Sequence, residues 1–170
     1  MSMKDDAQYV AIHEAGHAFA YVLFKIPFHY VTIVPEEEGV VNTGGHTLGY
    51  IMPIKTYSGK EESTYSKLIP DEFFSSFSED VTILAGSVAE AIYRKKFNKY
   101  SAKADIFILI NNRLINHPEP FRSRYRSFLI SYTYLLLKQK ANYKMIVKIA
   151  DELMKKKTLD YDQVRKIINR

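Results

Sequence analysis

The sequence predicts an α+β fold that is mostly helical: a central helix carrying an H-E-x-x-H pentapeptide, a small sheet, and a C-terminal helical bundle. Three observations carry this. Residues 13–17 read His-Glu-Ala-Gly-His inside an apolar surround. Two β-branched or aromatic runs, 30–34 and 48–52, follow that helix, and each is stopped by a proline. From residue 81 onward, apolar residues recur at helical rather than strand spacing. The chain has 170 residues, 46% of them hydrophobic, which suits one domain over 1–170 with a sizeable core.

The first helix has Asp5 or Asp6 as its expected N-cap before Ala7. Val10, Ala11, Ala18, Tyr21 and Val22 fall at helical spacing, and residues 18–24 are apolar nearly all round, so the helix reads as buried. Gly16 costs roughly 1 kcal/mol in a helix interior relative to Ala, which points to another backbone packed closely against it. Pro27 closes the segment shortly after Lys25.

Residues four apart on a helix share a face, so His13 and His17 can offer imidazole nitrogens to one metal ion. Glu14, one step round, can address a water on that ion without ligating it. This is the zincin-like arrangement of a zinc peptidase, two His ligands and a Glu general base.

The next elements are a strand at 30–34, a Gly-containing connection at 36–45, and a second strand at 48–52 whose flanking Gly and Pro suit a sheet edge. Residues 55–67 are polar and read as a loop. A helix can open at Asp71 or at Ser78; Val81, Leu84, Ala85, Val88, Ala89 and Ile92 form its stripe, with Glu90 among them as a buried carboxylate. Ser101 can cap the following helix, where Asp105 lies on the stripe of Ile106, Leu109, Ile110 and Leu114. After the break around Pro118 and Pro120, helices are expected at 121–138 and 141–156. Asp160 and Gln163 form a capping box for a last short helix holding Val164, Ile167 and Ile168.

A catalytic zinc site takes three protein ligands and leaves a fourth position open. A metzincin-type third His would stand at position 23, which is Leu23. The remaining candidates are Asp105, Glu90, His29, His46 and His117. An acid on a core-facing stripe costs several kcal/mol unless it is paired or metal-bound, which favours Asp105. Glu90 is its rival, or else the hydrogen-bond partner of a ligand His. His46 and His117 sit in segments expected to face solvent.

Composition narrows the classes. There is no cysteine, so disulfides and Cys-ligated zinc are excluded. The net charge of +5 comes from 24 basic and 19 acidic residues, and the basic clusters read as solvated helix ends rather than a nucleic-acid surface. No secretory signal and no uninterrupted apolar run of about 18 residues is present, so a cytoplasmic protein without a membrane span is expected.

Ala11-Ile12-His13-Glu14-Ala15-Gly16-His17-Ala18, Val31-Thr32-Ile33-Val34-Pro35 and Leu48-Gly49-Tyr50 follow one another in that order. Leu84-Ala85-Gly86-Ser87-Val88-Ala89-Glu90, Asp105 and Thr158-Leu159-Asp160-Tyr161-Asp162 come later. On these residues the chain resembles the peptidase domain of the FtsH family of ATP-dependent zinc proteases. The resemblance implies His13, His17 and Asp105 as Zn2+ ligands and Glu14 as base. It also implies that Leu48, Gly49, Tyr50 and Ile51 form the edge along which substrate lies. The chain departs from the family at Ser101-Ala102-Lys103-Ala104-Asp105, where a Thr-Gly-x-x-Asn-Asp stretch is usual. Residues 111–140 match the family poorly, and no G-x-x-x-x-G-K-[ST] phosphate loop occurs.

The expectation is an ATP-independent zinc endopeptidase acting on unfolded or flexible polypeptides, either stand-alone or part of something larger. Its partners would be a protein or peptide substrate and either a homo-oligomer or a separate ATPase. The alternative is a non-catalytic zinc-binding interaction module that keeps the peptidase fold. The intact Glu14 favours the enzyme.

Overall fold

A computed structural model describes residues 3–34, 50–53, 71–100 and 102–169. The predicted loop at 55–67, Ser101, His46, Leu48 and Gly49 lie outside them. The fold is mostly helical with a small antiparallel sheet, as expected. In chain order the elements are α1 (Met3–Leu23), β1 (Phe28–Thr32), β2 (Tyr50–Pro53), α2 (Asp71–Arg94) and α3 (Ala102–Leu109), which runs into a π-helical turn at Ile110–Leu114. Then come α4 (Glu119–Lys138), α5 (Lys140–Lys156), β3 (Thr158–Asp160) and α6 (Tyr161–Ile168).

Helix α1 is the axis of the molecule and packs against α2 on one side and α5 on another. Ile12, Ala15, Ala18 and Ala20 are wholly buried, in one cluster with Ala85, Ala89, Ile146, Ile149 and Leu153. Each fully buried Ile or Leu contributes about 1.5–3 kcal/mol. Gly16 does mark a close crossing. A Cβ there would stand 2.6 Å from the Ala85 carbonyl oxygen and 2.6 Å from the Ala89 Cβ, so only glycine lets α1 and α2 approach this far.

The sheet order is β2-β1-β3, with both pairs antiparallel. The first strand lies two residues earlier than the 30–34 run, because Phe28 is needed in the core against Tyr21 and Tyr161. Pro53 belongs to β2 instead of ending it. It can do so because β2 is, among the described residues, an edge strand, where a missing N–H breaks no interior ladder.

One further expectation is corrected. Helix α1 begins at Met3, so Asp5 and Asp6 lie inside it and neither is the N-cap. Residues 158–160, just before the closing helix, form a third strand for which the sequence carries no local pattern. Val31 pairs with Leu159, and Thr32 Oγ1 bonds Thr158 Oγ1 at 2.8 Å. The capping box is present as read: Asp160 accepts from the Gln163 N–H at 2.8 Å and Gln163 returns the bond at 2.9 Å.

Candidate metal centre

Three helices supply the centre. His13 and His17 project from α1 onto α2, and α3 brings Asp105 to the same point. His17, Glu14, Glu90 and Asp105 are all less than a tenth exposed. The candidate donor atoms of His13, His17 and Asp105 lie within 4.8 Å of one another, a grouping that could hold a metal ion.

Both imidazoles are oriented from behind. His17 Nδ1–H donates to the Thr82 carbonyl at 2.7 Å, and a carbonyl can only accept, so the His17 Nε2 carries a lone pair. His13 Nδ1–H donates to the Glu90 carboxylate at 3.3 Å. Glu90 is in turn held by Asn98 at 3.2 Å and Arg94 at 2.5 Å, and the Arg94 guanidinium stacks on the Tyr9 ring 3.4 Å from its centroid. This carboxylate-on-histidine pattern is the one that fixes ring orientation at metal sites.

The two Nε2 atoms face each other at 3.1 Å; Asp105 Oδ2 stands 3.6 Å from His13 Nε2, and Asp105 Oδ1 stands 3.6 Å from His17 Nε2. Donors about 2.0–2.1 Å from one tetrahedral ion are separated by roughly 3.3 Å. The Nε2 pair is close to that spacing, each Nε2 has one Asp105 oxygen close to it, and one donor atom from each residue lies within 4.8 Å of the others, so the donor set suits a tetrahedral ion. Asp105 Oδ2 also accepts from Ser87, from its N–H at 3.3 Å and from its hydroxyl. Gly86 leaves the space that the two imidazoles occupy.

Electrostatics follow from burial among these charges. Burial alone would lower His13, but Asp105, the Glu90 hydrogen bond and Glu14 outweigh it and hold His13 up at about 9. His17 is lowered, chiefly by burial. Burial pushes the Glu14 carboxyl up to about 7; His13 pulls it down and Asp105 pushes it further up.

These shifts give a signed prediction. Without metal, His13 stabilises the fold fully below its ordinary 6.5, and that contribution is lost as pH rises through about 9. Glu14, raised from 4.5, adds stability that is lost as pH rises through about 7. A bound ion needs neutral His13, so uptake at neutral pH expels that proton, and apparent affinity gains roughly tenfold per pH unit below the raised value. The gap in Tm between protein given a divalent metal ion and chelator-treated protein should therefore widen from pH 6 to pH 8.5. A flat or narrowing gap in a thermal-shift series would contradict this assignment.

Of the other sequence candidates, His29 is exposed on β1, and His117 is exposed and packs on Phe121 at 4.7 Å. Neither joins the centre. Glu90 reaches His13 rather than the common point. Asp105 shares its buried face with Ala102 and Leu109, while Ile106 and Ile110 are only half-buried. Sequence reasoning did not single out Gly86, Ser87 or the Thr82 carbonyl. A glycine inside the α2 stripe, costing about as much as Gly16, was the available signal for the first.

Below Asp105 the π-helical turn places Arg113 against α2. Its Nε bonds the buried Asp80 at 2.8 Å, and Tyr125 OH reaches the same carboxylate at 2.8 Å. These bonds tie α4 to the half of α2 that carries Thr82. Among the described residues no helix is long and apolar enough to cross a membrane. No protein-family model matches the chain, and no curated protein sequence matches it.

Proposed function

We propose that the chain is a zinc-dependent endopeptidase of the kind its FtsH-like motifs suggest. The observation that carries this reading is the convergence of His13, His17 and Asp105 donor atoms beside a buried glutamate, each imidazole fixed through its other nitrogen. The donor set is two nitrogens and a carboxylate, without sulfur, which suits zinc. Bound there, zinc would acidify a water and polarise a scissile carbonyl.

The chain's own groups do the rest. Glu14 is the proton carrier: its carboxyl, pushed up to about 7, accepts a proton near neutrality and can return it to a leaving amine. Burial excludes competing water from it. Glu90 and the Thr82 carbonyl keep the imidazoles aimed. Among the described residues, Tyr50 and Ile51 lie on β2 at an edge of the sheet, and an extended peptide can add to such an edge as a further strand. That mode favours unfolded or flexible substrates, since a folded domain holds its chain back by about 5–15 kcal/mol.

The test pairs two readouts on one preparation. Elemental analysis is expected to find about one zinc per chain, the number one tetrahedral three-ligand site takes. Unfolded casein should be cut without nucleotide, and the cutting should stop on chelation and return with Zn2+. Stoichiometric zinc without cleavage would leave the interaction module as the function. Protein that takes up no zinc would defeat both.

A further inference from the structure

We propose that Ser87 is a positioning residue that holds Asp105 as a one-oxygen metal ligand and so keeps the fourth coordination position open. This rests on the metal-centre reading above. Three observations argue for it.

First, both Ser87 donors, the backbone N–H and the hydroxyl, converge on the same carboxylate oxygen, Oδ2. An ionised carboxylate has about two lone-pair sites on each oxygen. Two donors occupy those of Oδ2. Each Asp105 oxygen stands 3.6 Å from one imidazole nitrogen, Oδ2 from His13 and Oδ1 from His17, so the Ser87 donors are what set the two oxygens apart and leave Oδ1 for the ion.

Second, the contact is built rather than incidental. Ser87 is 4% exposed and Asp105 6% exposed, and they come from different helices, α2 and α3. A serine inside a helix commonly turns its hydroxyl to the carbonyl one turn back. Here the hydroxyl leaves its own helix to reach Asp105.

Third, Ser87 is the neighbour of Gly86, where a Cβ would strike both imidazoles. Consecutive residues of α2 thus serve the two kinds of ligand: Gly86 makes room for the histidines, and Ser87 aims the carboxylate. The consequence is chemical. A carboxylate binding through both oxygens would fill the position that a zinc peptidase needs for water and substrate. Ser87 blocks that second bond by occupying Oδ2.

The experiment measures metal binding on the full chain, apart from any activity. Zn2+ affinity is read by competition with a chromophoric chelator, and coordination number by the visible spectrum of the Co2+ form. Ser87→Ala is expected to bind Zn2+ about 10–100-fold more weakly, the usual effect of losing an outer hydrogen-bond partner. Its Co2+ bands should change in intensity and position as Asp105 turns two-oxygen and the donor set departs from the regular tetrahedron. Ser87→Thr and Ser87→Val share a shape and differ by the hydroxyl, so any packing cost is common to both. The Thr variant should keep the wild-type-like spectrum, and the Val variant should follow Ala. Wild-type binding and spectrum in both Ala and Val variants would overturn the proposal while leaving the metal centre standing. No Zn2+ or Co2+ uptake by the wild type would instead overturn the centre itself.

Discussion

Glu14→Gln is expected to retain zinc and lose casein cleavage by about 10²–10⁴-fold, the usual contribution of a positioned general base. The substitution keeps the side chain's shape at a buried site, so packing of α1 against its neighbours changes little. What it removes is the capacity to take up a proton near neutral pH. Glu14 is not among the three residues whose donor atoms converge, so metal binding should be close to that of the wild type. Elemental analysis and a cleavage assay on the same sample separate the two effects. Undiminished cleavage would put the base elsewhere, and parallel loss of zinc would make Glu14 a ligand.

Gly86→Ala should abolish metal binding while leaving the fold in place. An added Cβ would press directly on His17 Nε2, and would stand 2.5 Å from His17 Cδ2 and 2.8 Å from His13 Cδ2. Both imidazoles would have to turn. His17 cannot do so without breaking its bond to Thr82, nor His13 without leaving Glu90. Alanine gains roughly 1 kcal/mol of helix propensity over glycine, and overpacking costs about 1–3 kcal/mol, so the net loss of stability is small. Zinc affinity should fall beyond the ~100-fold that marks the upper end of outer-partner changes. Calorimetric titration beside thermal melting checks it. Zinc binding of wild-type strength in a folded Gly86→Ala protein would show that the imidazoles do not converge where Gly86 leaves room.

The parts of this arrangement that could be read from the sequence are those in which a side chain announces its own environment. A pair of histidines one turn apart defines a helix face. Asp105 and Glu90 interrupt apolar stripes, and an acid there must have a partner; the structure puts one with the histidine nitrogens and the other behind His13. Asp160 and Gln163 form a local capping device that needs no tertiary information. The remainder depends on non-local geometry. Thr82 acts through its carbonyl, which every residue possesses. Ser87 is small and polar and would be unremarkable on any helix. The three residues of β3 are too few to show alternation, and their partner strand lies more than a hundred residues earlier. The π-helical turn after α3 arises where Arg113 reaches Asp80, a pairing across helices that no local pattern encodes.

The central position of β1 bears on the order of events during synthesis. Every residue assigned to the centre, from His13 to Asp105, leaves the ribosome before α4, α5 and β3 exist. At about 5–20 residues per second, several seconds separate Thr32 from its partner Thr158. Through that interval β1 keeps one edge of unpaired N–H and C=O groups, the feature through which nascent chains join one another. Thr158–Asp160, only three residues long, is the piece that closes it. The fold therefore opens a chance of wrong pairing at β1 more than a hundred residues before the strand that removes it.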